Sequence, residues 1–187
     1  MANPDELVDV VDEDNEILHQ ITKREAHAKG LLHRTVIAEV KDSQGRWLLV
    51  KQASDRQDPG QYVSPVGGHV TAGETEEEAL KREAEEECGL RDFNFTLVGK
   101  KIFNRRVLDR QENHYFIVYE IHSDEKLILN EESVDYRAFT DTELKEALTH
   151  TPNMFGGAFH FVVENFYPGL FSHPPIKVHT DIAKLNG

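Results

Sequence analysis

The sequence predicts a fold that mixes helices and strands, of the α/β or α+β class, in one domain. Strand-like apolar runs lie on both sides of a strongly helical segment at residues 76–88. The length of 187 residues suits one domain with a substantial core. The content of 39% hydrophobic and 29% charged residues is typical of a soluble globular protein.

We expect this single domain to span residues 1–187, with its core at about 30–167. In this prediction an N-terminal hairpin at 5–22 precedes the core. Residues 172–187 carry two prolines and little apolar pattern, so we expect a weakly ordered tail there.

Seven segments have the length and apolar pattern of β-strands. In chain order they are 7–11, 16–21, 36–40, 47–50, 93–103, 114–121 and 134–139. The first two flank turn-forming residues and predict a hairpin, whereas 47–50 is apolar throughout, as in a buried strand. Residues 104–113 mix basic and acidic side chains and are predicted to form a loop.

Four segments carry helix signals, at 23–29, 76–88, 141–148 and 154–166. Thr22 is expected to cap the first helix, and Gly30 to end it. Thr75 and Glu78 form a capping-box signature for the second helix, and Gly89 supplies its C-terminal stop. A similar signature begins the third helix.

The charge and cysteine content exclude several kinds of partner and site. A net charge of −13 argues against binding nucleic acid through its phosphates, which needs clustered Lys and Arg. No apolar run approaches the roughly 20 residues needed to cross a bilayer, and residues 1–14 are too acidic for a secretory or transit signal. A single cysteine, Cys88, excludes an internal disulfide and fits a reducing compartment.

We therefore expect a cytoplasmic protein with no nucleic-acid or membrane partner. An anionic small molecule is compatible with this charge only if cations bridge it to the protein. A homodimer is the default oligomer.

The segment 76–88 carries more carboxylates than a folding argument requires. At 100° per residue, a core-facing stripe is predicted for Leu80, Ala84 and Cys88. Three carboxylates share one edge of the helix, about 5–6 Å apart, namely Glu83, Glu86 and Glu87. Such like charges repel, and a hard cation such as Mg²⁺ resolves the conflict because it prefers carboxylate oxygens. The alternative is a solvated acidic helix face.

Two neighbouring features favour the metal-binding interpretation. Gly67 and Gly68 predict a loop whose backbone can approach a metal or a phosphate closely. Arg82 lies one turn from Glu78 and Glu86, and we expect it to pair with one of them and hold the acid cluster in register.

These residues also fit a known motif. The segment resembles the Nudix box, Gly-x5-Glu-x7-Arg-Glu-U-x-Glu-Glu-x-Gly-U, in which U is a bulky aliphatic residue. Its fixed positions are all present, as Gly68, Glu74, Arg82, Glu83, Glu86, Glu87 and Gly89. The resemblance implies a mixed β-sheet sandwiched between α-helices, and hydrolysis of a diphosphate linked to another moiety.

The resemblance also implies roles for individual residues. Glu83, Glu86 and Glu87 become ligands of Mg²⁺ or Mn²⁺, and Gly67 lends its carbonyl to the metal. Glu86 or Glu83, together with Arg82, is the candidate catalytic group. The expected reaction is metal-assisted attack of water on a diphosphate phosphorus.

A second resemblance covers roughly residues 5–165. Segments 32–34, 59–69, 112–113 and 151–155 look like type I isopentenyl-diphosphate isomerase. In that family, histidines matching His27, His33 and His69, with an acid matching Glu112, build a metal site. His69 and Glu112 are therefore further candidate metal ligands.

Two departures separate the chain from the isomerase. Gly67 replaces the catalytic cysteine, and His114 replaces the second acid of the metal site. Because glycine has no side chain to move a proton, the departures favour hydrolysis. They also remove part of the reason for a histidine metal site, and the alternative is that these histidines serve structure. The rival functions are isomerisation of a prenyl diphosphate and non-catalytic diphosphate binding.

Substrate contacts are predicted at three positions. Gly68 adjoins the acid cluster, and Arg56 and Arg105 could contact phosphate from polar loops. The alternative for Arg105 is a solvated basic loop, and Glu112 could equally serve a surface loop. Aromatic residues at 155–167 could line a pocket for a base or prenyl group, or pack in the core. The expected substrate is a small molecule with a nucleoside diphosphate linkage.

Overall fold

The computed structural model describes residue 3 and residues 5–107 and 110–171, so the predicted tail at 172–187 lies outside the described residues. The strands are β1 Leu7–Val11, β2 Ile17–Thr22, β3 His33–Lys41, β4 Trp47–Gln52, β5 Tyr62–Val63, β6 Val66–His69, β7 Asn94–Val107, β8 Arg110–His122 and β9 Ser133–Phe139. The α-helices are α1 Lys23–Lys29, α2 Glu76–Cys88, α3 Asp141–His150 and α4 Gly157–Phe166. Short 3₁₀ turns lie at Pro152–Met154 and Pro168–Leu170.

Strand β3 is the centre of a mixed sheet. Along one edge it pairs in parallel with β8, from His33 opposite His114 to Lys41 opposite His122. Its other edge is shared by three antiparallel strands, β1, β6 and β4. The predicted mixed α+β architecture is therefore confirmed. Within the described residues, no helix is long and apolar enough to span a bilayer.

Helices cover both faces of this sheet. Val36 and Ala38 of β3 pack in one apolar cluster with Leu80 of α2, whereas Ile37 packs in another with Val162 of α4. This alternation follows from the period of two along a strand, which turns successive side chains to opposite faces. Burial of each large apolar side chain contributes about 1.5–3 kcal/mol to folding.

Helix α2 begins and ends as its sequence predicts. The Thr75 hydroxyl accepts a hydrogen bond from the Glu78 amide, and the Glu78 carboxylate accepts one from the Thr75 amide. Gly89 adopts a left-handed φ of 67°, which favours glycine over any residue with a Cβ. The predicted stripe of Leu80, Ala84 and Cys88 is fully buried.

Two local predictions are wrong. Residues 104–113 are mostly strand, because β7 and β8 continue to Val107 and from Arg110, with Arg105 directly opposite Glu112. Opposite charges on facing residues stabilise such a pair, so the charged sequence extends the hairpin. Gly67 and Gly68 form no loop; they lie in β6, which pairs with β3.

Strand β3 also buries an acid that the sequence analysis did not single out. Glu39 is fully buried, and the Ser64 hydroxyl donates to its Oε1 at 2.6 Å. Burial raises the pKa of Glu39 to about 7, although the bond from Ser64 opposes the shift.

Replacing Glu39 by glutamine should therefore change the pH dependence of stability. The folded state holds this proton up to about pH 7, whereas the unfolded state releases it near the ordinary pKa of 4.5. The wild type thus loses stability as pH rises through this window, by at most about 3 kcal/mol. We expect the stability of Glu39→Gln relative to wild type to increase by about 1–3 kcal/mol between pH 5 and pH 8. Urea denaturation at both pH values measures this.

The matched control is Glu146→Gln, an exposed position on α3. Its stability relative to wild type should not change with pH. If the difference in unfolding free energy between Glu39→Gln and wild type is also the same at both pH values, Glu39 is already ionised in the folded protein at pH 5.

Candidate active site

The acidic edge of α2 lies against the two glycines of β6. Glu83 and Glu87 are partly buried, and Glu86 is exposed. The Gly67 amide donates to Glu87 Oε2 at 2.8 Å. A Cβ on Gly68 would lie 2.0 Å from Glu83 Cδ, so the Glu83 carboxylate occupies the space that a side chain would need. The glycines therefore allow the carboxylates to approach the sheet.

Arg82 positions this cluster. Its Nε and Nη2 donate to the two oxygens of Glu74, each at 2.9 Å, and Nη2 also donates to the His69 carbonyl at 2.9 Å. Its Nη1 donates to Glu83 Oε1 at 2.6 Å and lies 3.8 Å from Glu86. Arg82 thus ties α2 to β6, chiefly through Glu74 and Glu83. Of the two predicted partners, Glu86 lies within ion-pair distance of Arg82, whereas the Glu78 carboxylate is engaged in the helix cap.

The electrostatics of the cluster favour a bound cation. Burial, and then the charge of Glu83, raise the pKa of Glu87 well above its ordinary value. Burial also raises the pKa of Glu83, despite the opposing effect of Arg82. Two crowded carboxylates that resist ionisation, next to an exposed third, provide the oxygen ligands that hard divalent cations prefer. These residues fit Mg²⁺ or Mn²⁺.

A cavity of about 170 Å³ opens beside the cluster. Its polar lining beside α2 includes Gly67, Gly68 and Glu87. Its apolar lining comes from both the sheet and α4, and includes Ile37, Phe103, Phe116, Ala158 and Phe159. The cavity therefore combines charged groups with an apolar and aromatic wall. Of the aromatic residues at 155–167, Phe159 contributes to this lining, and both Phe155 and Phe159 pack in the core.

The two predicted substrate arginines are paired with acids. Arg105 lines the cavity and donates to Glu112 at 2.6 Å and to Asp58 at 3.1 Å. Arg56 lies 3.0 Å from Glu132, and it does not belong to the described cavity lining. Phosphate contact by either arginine stays a prediction. Glu112, a predicted metal ligand, is buried against Arg105.

The segment before β9 brings residues that the sequence analysis missed. Asn130 and Glu132 line the cavity, and the charge of Glu132 is among the influences that raise the pKa of Glu87. The Asn130 side chain donates to the Glu86 carbonyl at 3.2 Å. The signal in the sequence was the polar run at 130–133, between an apolar segment and a strand.

Four histidines form a cluster next to the cavity, and two of them, His69 and His114, line it. They are His27 of α1, His33 of β3, His69 of β6 and His114 of β8, and one ring nitrogen from each lies within 4.8 Å of the others. Burial lowers the pKa of His33 to about 4 and that of His69 well below its ordinary value. At neutral pH both are uncharged imidazoles, the form that binds metals. His114 was expected to weaken a site here, but it joins the cluster.

The sequence matches a known protein family, and it is similar to curated proteins named for the same family. The family model described as the NUDIX domain matches residues 31–156. The Nudix hydrolase SCO1686 of Streptomyces coelicolor is 39% identical over 90 residues, which are 48% of this chain and 50% of that protein. The Nudix hydrolase YfcD of Escherichia coli K12 is 36% identical over 100 residues, which are 52% and 55% of the two chains. The matches thus span about half the length of these relatives.

Solved structures share the fold. The crystal structure of DR0079 from Deinococcus radiodurans superposes with a TM-score of 0.69 at 24% identity, over 87% of this chain and 99% of that one. The NUDIX domain of Shewanella oneidensis NrtR, complexed with ADP ribose, gives a TM-score of 0.53 at 17% identity, over 71% and 83%.

Proposed function

The chain belongs to the NUDIX domain family, and from that premise we propose that it hydrolyses a diphosphate bond in a small molecule with the help of Mg²⁺ or Mn²⁺. The observation that carries the proposal is the placement of Glu83 and Glu87 against Gly67 and Gly68, beside the cavity that Gly67, Gly68 and Glu87 line. This arrangement brings carboxylates and backbone to one place where a diphosphate can lie.

The residues of the cluster have different roles in the proposed reaction. Glu83, Glu86 and Glu87 would hold the cation, which when bound neutralises phosphate oxygens and lowers the pKa of the attacking water. Arg82 is a positioning residue, since it fixes Glu83 and the His69 backbone. The water oxygen forms a bond to phosphorus, the bridging P–O bond breaks, and a Glu86 carboxylate oxygen accepts the water proton. Glu86 suits this role because it is exposed at the edge of the cluster.

The other predicted ligands rank lower in this proposal. Glu112 and Glu132 are both paired with arginines, but only the charge of Glu132 is among the influences that raise the pKa of Glu87, so Glu132 is the better candidate for an acid from outside α2. The Gly67 amide already binds Glu87, and participation of its carbonyl is a separate proposal. Arg105 could reach a phosphate only by leaving Asp58 or Glu112.

The proposed substrate carries its diphosphate on a nucleoside or a comparable aromatic group. Phe103 and Phe116 line the cavity with stacked rings whose centroids are 4.8 Å apart. An aromatic body can pack against such rings. The relative from Shewanella oneidensis was solved with ADP ribose, a ligand of this class.

The two rival functions make different demands. An isomerase of prenyl diphosphates needs a group that moves a proton at carbon, and Gly67 supplies none. A binding module needs no intact carboxylate cluster, and here Glu83, Glu86 and Glu87 are all retained.

A panel of diphosphates tests the proposal. Nucleoside diphosphate sugars, dinucleotides, nucleoside triphosphates and a prenyl diphosphate are incubated with Mg²⁺ or Mn²⁺, and the products are identified by chromatography. We expect hydrolysis of at least one nucleoside compound, its loss on addition of EDTA and its recovery with excess Mg²⁺. Binding without product under every metal condition would favour the binding module, and an isomerised prenyl diphosphate would favour the isomerase.

A further inference from the structure

One face of strand β3 carries a row of three side chains next to the cavity. Ile37, at the centre of the row, lines the cavity and packs in the same apolar cluster as Val162 of α4. Thr35 and Glu39 lie two residues before and two residues after Ile37 on the strand, so they share its face. This face therefore presents a hydroxyl, an apolar side chain and a buried acid in sequence.

The hydroxyl of Thr35 is a polar group that the fold leaves unused. Thr35 lines the cavity although only 7% of its surface is exposed, and its Oγ1 has no hydrogen-bond partner among the described residues. The neighbouring strands pair with it through His69 on one edge and Phe116 on the other. A buried hydroxyl without a partner lowers stability, so a ligand that supplies a hydrogen bond gains affinity at this position.

A second hydroxyl, that of Ser64, is held in place by the buried acid. Ser64 lines the cavity, and its Oγ donates to Glu39 Oε1 at 2.6 Å. Glu39 Oε2 has no hydrogen-bond partner in the described part of the chain, so Ser64 is the group that fixes this carboxyl. While the Ser64 proton points to Glu39, the Ser64 oxygen offers only lone pairs to the cavity. Ser64 is then suited to accept a hydrogen bond from a ligand, and Glu39 is a positioning residue.

We propose that Thr35 and Ser64 form a subsite that binds the nucleobase of the substrate by hydrogen bonds at the edge of its ring. Ser64 accepts from an N–H group of the base, and Thr35 bonds to a second atom of the same edge. The ring packs against Phe103 and Phe116, which line the same cavity. Nucleobases present N–H donors and lone-pair acceptors side by side, whereas a prenyl chain presents neither. The inference rests on the proposed function for the class of substrate.

Binding of nucleoside monophosphates to the full chain tests the subsite without requiring hydrolysis. Isothermal titration calorimetry at pH 8 with Mg²⁺ compares the 5′-monophosphates of adenosine, guanosine, cytidine and uridine with ribose 5-phosphate, which has no base. We expect at least one nucleotide to bind about tenfold or more tightly than ribose 5-phosphate, as one hydrogen bond and one aromatic contact together predict. Equal affinity for all five compounds, or no binding of any, would overturn the subsite.

Two variants that remove only the hydroxyl groups locate the contacts. Thr35→Val and Ser64→Ala should each weaken binding of the preferred nucleotide about 3- to 10-fold and leave that of ribose 5-phosphate unchanged. Exposed Thr96 and Ser43 supply the matched controls, Thr96→Val and Ser43→Ala, which should bind like wild type. Unchanged nucleotide affinity in both cavity variants would contradict the proposal.

Stability separates a binding role of Thr35 from a structural one. Because its hydroxyl has no partner within the described residues, Thr35→Val should unfold at a urea concentration no lower than that of wild type. Weaker nucleotide binding without a loss of stability would then identify a ligand contact. If Ser64→Ala does not fold, Thr35→Val alone decides the test.

The bond between Ser64 and Glu39 also predicts that nucleotide preference depends on pH. Burial raises the pKa of Glu39 to about 7, in a setting that includes Lys41 of the same strand, Glu120 of β8 and Tyr167 after α4. Below this value a protonated Glu39 donates to Ser64, and the Ser64 proton turns to the cavity. A nucleotide that donates to Ser64 should therefore lose part of its advantage over ribose 5-phosphate between pH 8 and pH 6.

Glu39→Gln checks the origin of this pH dependence. The amide has no proton to gain or lose in this range, so the ratio of the two dissociation constants should be the same at pH 6 and pH 8. A pH-dependent ratio that persists in Glu39→Gln would overturn the role of Glu39.

The subsite and the proposed hydrolysis fail in different ways. Nucleotide binding that depends on Thr35, with no product from any diphosphate of the panel, would contradict the hydrolysis and support the subsite. Hydrolysis of nucleoside compounds, with nucleotides and ribose 5-phosphate bound equally, would support the hydrolysis and overturn the subsite.

Discussion

Glu87→Gln should lower kcat/KM on the order of 10³-fold, which corresponds to about 4 kcal/mol of transition-state stabilisation. The amide keeps the shape of the side chain and an oxygen that can accept from the Gly67 amide, so the change removes charge and little else. Steady-state kinetics with a substrate from the diphosphate panel, at saturating Mg²⁺, measure the loss.

The same substitution should have the opposite effect on the folding of the metal-free protein. Burial and the Glu83 charge disfavour an ionised Glu87 in the folded state, so a neutral amide should make the metal-free protein more stable at pH 8. Thermal unfolding in EDTA tests this direction. A variant that is less stable as well as less active would indicate general structural damage.

Glu85→Gln is the matched control for this experiment. Glu85 lies on the same helix, but it is exposed and pairs with exposed Arg91 at 2.8 Å. Its replacement should leave kcat/KM within about twofold of wild type, since exposed ion pairs contribute little. Full activity of Glu87→Gln would remove Glu87 from the proposed site.

Gly68→Ala should both destabilise the protein and lower its activity. The added Cβ would lie 2.0 Å from Glu83 Cδ, so the Glu83 carboxylate must move from its place above β6. Because the obstructing atoms are the end of a flexible side chain, we expect a loss of about 1 kcal/mol in the free energy of unfolding, chiefly from the Glu83 bond to Arg82. If the Glu83 carboxylate is displaced by about 1 Å, kcat/KM should also fall roughly 10²-fold. Urea denaturation and steady-state kinetics measure the two effects.

The adjacent glycine supplies the control for stability. A Cβ on Gly67 would meet nothing nearer than the Val36 carbonyl oxygen at 3.9 Å, so Gly67→Ala should unfold at nearly the same urea concentration as wild type. A double-mutant cycle with Glu83→Ala should remove most of the penalty at Gly68, because the clashing group is gone. If Gly67→Ala and Gly68→Ala lose the same stability, the loss comes from the flexibility of glycine and not from the contact with Glu83.

Periodicity and capping predicted most of the fold. Helix α2 was predicted well because Thr75, Glu78 and Gly89 are local signals that act within one turn of the chain. The β7–β8 hairpin was underestimated, since its outer part depends on facing pairs such as Arg105 and Glu112. Such pairing is a property of two segments together, which a reading of either segment alone does not contain.

The candidate site was also predicted only in part. The spacing of Glu83, Glu86 and Glu87 placed them on one helix edge, and Glu86 does lie beside Arg82 as predicted. The closer partner of Arg82, Glu74, was missed because it reaches the arginine from the turn before the helix. The sequence analysis interpreted His114 only as the replacement of an acidic metal ligand. Its place beside His33 follows from the parallel register of β3 and β8, which no local pattern contains.

The parallel pairing of β3 with β8 also sets an order for synthesis and folding. Strand β3 is complete at residue 41, but its parallel neighbour ends at residue 122, so the ribosome must add about 80 residues first. At roughly 5–20 residues per second, one edge of the central strand stays open for several seconds during translation. An open strand edge can pair with other chains. Arrival of the β7–β8 hairpin therefore closes the sheet, and nascent chains that stall before it are the ones most exposed to aggregation.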